Sequence, residues 1–105
     1  MQKSYAETIA GKRRLYILRI LQRTPGLSAS HRVLRTALES MQRSWGLSVI
    51  REDLQHLASV NCVILEELTV EGSPPVTMAT LTEKGGEVAS GLETVSGVEW
   101  LEAGE

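Results

Sequence analysis

Phenylalanine is missing from the sequence, and two tryptophans with two tyrosines make up its whole aromatic content, so any core has to be built from aliphatic side chains. A single cysteine, Cys62, excludes an internal disulfide and points to a reducing compartment, with the thiol itself expected in the core. The only histidines, His31 and His56, make no zinc-binding spacing with that cysteine, so no metal is expected. No phosphate-binding loop, nucleophile elbow or paired-carboxylate motif occurs; "EKGGEVASG" has glycines but no lysine pattern behind a strand. The expectation is a non-enzyme without a cofactor. Long apolar runs are absent too. The longest cluster, "LYILRIL" at 15–21, contains an arginine and is far too short to span a bilayer, and nothing resembles a signal peptide. A cytoplasmic protein without a membrane partner is expected.

What remains is a chain of 105 residues that is 42% apolar, enough for one domain with a modest core. Its formal charge of −2 conceals an asymmetry. Residues 1–56 carry ten Lys/Arg against four Asp/Glu, whereas residues 57–105 set Lys84 alone against nine Glu, so the halves stand at +6 and −8. An anionic partner should meet the first half.

The pattern predicts a first helix from about Ser4 to Arg23, with Ser4 as N-cap and Glu7 completing a capping box, stopped by "TPG" at 24–26. Because "LYILRIL" is apolar on nearly every side, one flank of this helix faces its own core. The other faces either a second subunit, through Leu15, Ile17 and Ile20, or more of the same chain in an unusually central helix; a homodimer is the expectation carried forward. A second helix runs from Ser28 or Ser30 to about Arg43, with Leu34, Ala37, Leu38 and Met41 as its buried stripe and Gly46 near its end. Ser48 caps a third helix to about Val60, burying Ile50, Leu54 and Leu57, and Asn61 ends it in a left-handed conformation. "CVILEELTV" and "VTMATL", joined across "EGSPP", read as a hairpin, and Thr82 caps a short helix that three glycines weaken. Residues 92–105 read as a loose acidic tail in which Val98, Trp100 and Leu101 can dock, leaving residues 1–91 as the domain.

The stretch "SVIREDLQHLASVNCVILEE" followed by "VTMATLTEKG" resembles winged helix-turn-helix proteins, in which a capped helix precedes a hairpin wing and L-T-x-x-G opens the last helix. Together with "KSYAETIAGKRRLYILRILQRTPG" and "VLRTALE" it is similar, over about residues 3–91, to a small winged-helix protein of Mu-like phages and prophages. The resemblance implies an α+β, mostly helical fold of three helices, a β-hairpin wing and a short C-terminal helix, in a phage setting. It supplies little mechanism.

The residues suggest double-stranded DNA as the partner. On the exposed side of the third helix, Arg51 has the geometry for guanine and Gln55 for adenine, with Ser59 beside them and Ser48 at the helix start placed for a phosphate. His56 on that side reads as a surface residue before a base contact. Tyr5, Lys12, Tyr16, Arg19 and Arg23 lie within about 60° of one another on the first helix, and Arg32, Arg35 and Arg43 form a second basic face suited to phosphates. Against this stand Glu52 on the reading helix and Glu66, Glu67 and Glu71 on a wing with no basic residue, which favour a protein-interaction module meeting a basic partner. Asp53 falls at the core edge, where an arginine of the first or second helix can pair with it.

Overall fold

Ser4 opens the first helix as its sequence demands: the Oγ accepts from the Glu7 N–H at 3.1 Å and donates to the Glu7 carboxylate at 3.2 Å. The structure is a computed structural model and describes residues 4–100. Helix α1 (Tyr5–Arg23) ends where Thr24 turns extended ahead of Pro25, its hydroxyl donating to the Ile20 carbonyl at 2.7 Å. Gly26 and Leu27 both take positive φ (74° and 58°) and turn the chain into strand β1 (Ser28–Ser30). Ser30 then caps α2 (His31–Ser40), accepting from Val33 N–H at 3.1 Å. Next come α3 (Leu47–Ser59), β2 (Val63–Leu68), β3 (Val76–Leu81) and α4 (Glu83–Ala89), the last capped by the Thr82 hydroxyl on Gly85 N–H at 3.0 Å. The described residues thus form an α+β domain of four α-helices and a three-stranded antiparallel sheet.

The hairpin and the left-handed Asn61 (φ 64°) stand where the pattern predicts them. Strand β1 was not legible: three residues, Ser-Ala-Ser, carry no strand signal. It pairs with β3 because Ala29 falls opposite Ala79 and the Ser28 and Thr80 hydroxyls bond across the ladder. The sheet order is β1–β3–β2, with Thr77, Ala79 and Leu81 of β3 turned inward. Two helix boundaries also differ from the expectation. Helix α2 stops at Ser40, Gln42 takes a φ of 61°, and Met41 is exposed rather than part of the buried stripe. Gly46 does not end α2 but is the N-cap of α3, so Ser48 lies inside the first turn and caps nothing.

The core unites Ile17, Leu18 and Leu21 of α1 with Leu34 and Leu38 of α2, Ile50, Leu54 and Leu57 of α3, and the inner face of the sheet. Each fully buried leucine contributes about 2 kcal/mol by leaving water. Leu15 and Ile17 have no exposed surface, so within one chain they are already covered and cannot meet a second subunit; Ile20 is half-buried against the same core. The apolar flank of α1 is closed by the chain's own later residues. Helix α4 packs on α1. Beyond it, Val95 and Val98 pack against the core, and Glu99 N–H donates to the Gly11 carbonyl at 3.1 Å. The segment read as a loose tail is therefore laid on the helices as far as Trp100, while Leu101 lies outside the described residues. Among the described residues no helix is long and apolar enough to cross a membrane.

Candidate nucleic-acid interface

Helix α3 and the hairpin enclose a groove of about 260 Å³, and into it come Ser48, Arg51 and Gln55, three of the four α3 residues singled out for DNA contact. Ser59 is not among them; it sits at the last turn of α3, its hydroxyl donating to the His56 carbonyl at 2.6 Å. The same groove holds Glu52 and Glu67, so its formal charge is not positive. Arg51 is engaged: Nε donates to the Thr77 hydroxyl at 3.2 Å and Nη2 to the two Glu67 oxygens at 3.4 and 3.3 Å. Thr77 in turn donates to Glu67, closing a triangle. The Thr77 hydroxyl first, and the Arg51 guanidinium with it, hold the Glu67 carboxyl below its usual range against some desolvation. Both members of the ion pair face solvent, where such pairs hold weakly and yield to a competing anion or base edge.

Beneath the triangle lies a residue whose role was not read from the sequence. His31, the first residue of α2, is 2% exposed, and its Nδ1 accepts from the Thr77 N–H at 3.1 Å. Its position three residues before Leu34 and seven before Leu38 extends the buried stripe of α2, a signal that was available. Burial, then the Arg51 and Arg32 cations, push its pKa below the ordinary 6.5, so the ring is neutral and its proton is assigned to Nε2. Since the unfolded chain then binds the proton more readily, the contribution of the neutral His31 ring to stability is complete above about 6.5 and declines as pH falls below it. We expect the urea midpoint to fall on going from about pH 7.5 to about pH 5.5, and His31→Asn, which keeps an acceptor but does not titrate there, to flatten that slope. An unchanged slope in the variant would sink this assignment. Glu67 weakens the fold in the same direction, but only below its usual 4.5.

The cations do not form the two stripes expected. Because α2 ends early, Arg43 leaves the α2 face and stacks on Tyr16 of α1, its carbon 4.5 Å from the ring centroid and its Nη2 donating to the Tyr16 hydroxyl at 3.0 Å. Arg19 turns to Trp100, 4.7 Å from that ring. Arg35 pairs with Glu39 at 3.4 Å one turn along α2. Arg23 and Arg32 remain exposed at the end of α1 and on α2, and Lys12 lines a cleft with Tyr5, Tyr16 and Arg43.

Asp53 behaves as its core-edge position suggests. It is 1% exposed and takes both Arg13, through Nε and through Nη2 at 3.0 Å, and Arg14 through Nε at 3.0 Å. Arg14 also donates to the Gly97 carbonyl at 2.9 Å, and His56 Nε2 meets the Ser96 carbonyl at 2.7 Å, so His56 is turned to the C-terminal segment. Cys62 is fully buried, and burial pushes its thiol up, away from reactivity. Among the described residues no three of His, Cys, Asp and Glu gather as a metal site. No protein-family model matches the sequence, and no curated protein matches it significantly.

Proposed function

We propose that the chain is a winged helix-turn-helix protein of phage or prophage origin that binds double-stranded DNA in the host cytoplasm as a regulator or accessory factor. The observation that carries this is the placement of Ser48, Arg51 and Gln55 in one groove between α3 and the hairpin that follows it. In this reading α2 and α3 are the helix-turn-helix and β2–β3 the wing. Arg51 and Gln55 address base edges, and Ser48, Lys12, Arg19, Arg23, Arg32 and Arg43 address phosphates. Arg51 has to leave Glu67 first, so base contact begins with breaking a solvent-facing ion pair.

Fluorescence anisotropy on random duplex across a salt series tests this. With about five cations at phosphates, the log–log slope should be roughly −4 to −5. Arg23→Glu combined with Arg32→Glu should abolish binding, and Glu67→Gln, which frees Arg51 and removes a charge, should tighten it. No binding at low salt overturns the proposal. A specific observation favours a second reading, a protein-interaction module for phage assembly or host-factor binding: Glu52, Glu66, Glu67 and Glu71 on α3 and the hairpin are exposed carboxylates, and Arg51 is the one cation among the described residues of the groove that Glu52 and Glu67 line. Under that reading Glu66→Lys with Glu71→Lys abolishes capture of a basic partner; under the first it strengthens duplex binding.

A further inference from the structure

Three of the four aromatic rings in this chain line a single cleft, and among the described residues that line it none is a carboxylate. It measures about 550 Å³ and runs between the N-terminal half of α1 and the α2–α3 link. Helix α1 contributes Tyr5, Ile9, Lys12, Arg13 and Tyr16, positions that recur on one helix face, and the link contributes Arg43 and Trp45. Tyr5 and Tyr16 are three turns apart, so the rings mark the two ends of a trough about 16 Å long. From this arrangement we infer a binding site for a nucleobase with its attached phosphate, distinct from the groove at α3.

A cleft of this size falls within the range of small-molecule sites and is far larger than a lone phosphate requires. Arg13 and Arg43 are held in place before any ligand arrives, Arg13 by Asp53 and by stacking 4.5 Å from the Trp45 centroid, Arg43 by the Tyr16 hydroxyl and ring. The Asp53 carboxylate is shared between Arg13 and Arg14, so the buried trio keeps a positive charge behind the cleft wall. A guanidinium stacked on an aromatic ring is a flat platform on which a base forms the next layer. Arg43 has spent one of its five N–H donors on Tyr16, leaving an edge for phosphate oxygens. Tyr5, 83% exposed at the first position of α1, contributes nothing to the core and offers a ring face at the far end. Free mononucleotides and unpaired nucleotides in a single strand share this chemistry.

Trp45 makes the site observable. Trp100 lies elsewhere, against Gly91 and Arg19, so Trp100→Phe leaves Trp45 as the single tryptophan, selectively excited at the red edge where tyrosine does not absorb. In that background, titration with AMP and separately with a short oligothymidylate should change Trp45 emission saturably, at about a millimolar or tighter for at least one of them. Saturation by AMP identifies a free nucleotide as the source, and saturation by the oligonucleotide alone identifies an unpaired strand. Arg43→Glu and Tyr5→Ala, both at exposed positions that leave folding intact, should each weaken binding about tenfold. Three results overturn the inference: no saturable change with either probe, unchanged affinity in both variants, or inorganic phosphate or a polyglutamate peptide competing as well as the nucleotide. Lys12 and Arg43 serve both readings, so residues unique to each site separate them: Arg51→Ala should weaken duplex binding and leave the nucleotide response unchanged, whereas Tyr5→Ala should do the reverse.

Discussion

Asp53→Ala is expected to cost about 3 kcal/mol or more of unfolding free energy, the lower part of the range for breaking a buried ion pair. The carboxylate is 1% exposed, and its two partners have side chains only 10% and 19% exposed. Removing it leaves two guanidiniums facing each other, short of their acceptor and largely shut off from water. Each retains a thin path to solvent, and for that reason the expected loss is near 3 rather than 5 kcal/mol. A domain of this length holds on the order of 5–10 kcal/mol in total, so the variant should sit close to its unfolding transition at room temperature. Urea denaturation checks this, and a loss under about 1 kcal/mol would show that the arginines find other partners. Asp53→Asn, which keeps the shape and one acceptor, should fall between the two. The damage should spread to the C-terminal segment, because Arg14 also holds the Gly97 carbonyl.

The second large effect is a reversal of sign between neighbouring glycines. A Cβ on Gly85 would stand 2.1 Å from the Cys62 carbonyl oxygen and 2.7 Å from Leu81 Cδ1, so α4 and the start of the hairpin would have to separate. Gly85→Ala should therefore destabilise by about 3 kcal/mol, outweighing the roughly 1 kcal/mol that alanine gains as a helix former. At Gly86 the nearest such contact is Leu81 Cδ2 at 3.9 Å, and Gly86→Ala should stabilise by about 0.5–1 kcal/mol. Thermal or urea midpoints moving the same way in both variants would defeat this account. The sequence marks both residues alike, as weak points of a short helix; only the approach of the Cys62 carbonyl separates them.

That pair illustrates what was legible and what was not. Local hydrogen-bonding rules placed Ser4, Thr82 and Asn61 correctly, because caps and left-handed endings are settled within four residues. Periodicity found the buried faces of α2 and α3 for the same reason. It could not name what covers a face. The apolar surround of Leu15 and Ile17 announces burial, yet that α4 and residues 95–99, some seventy to eighty residues away in sequence, come to lie against α1 and the core is a tertiary fact. Charge partners are equally non-local. Arg51 and Glu67 meet across a fold, and Arg43 reaches Tyr16 only because α2 ends at Ser40 and Gln42 reverses the chain. The stripe of α1 was thus correct as an angle and incomplete as a surface, since long side chains leave the azimuth of their Cα to reach a ring.

The order β1–β3–β2 leaves β2 at the rim of the sheet, and Ile64 on it is 65% exposed. A rim strand of this kind invites an identical strand to zip alongside it, the first step toward aggregation. Here Glu66 and Glu67 follow Ile64 within the six-residue strand, and a second copy laid along the rim would bring carboxylate against carboxylate. The acidity that makes this hairpin a poor companion for a polyanion also keeps the free rim from recruiting its own kind.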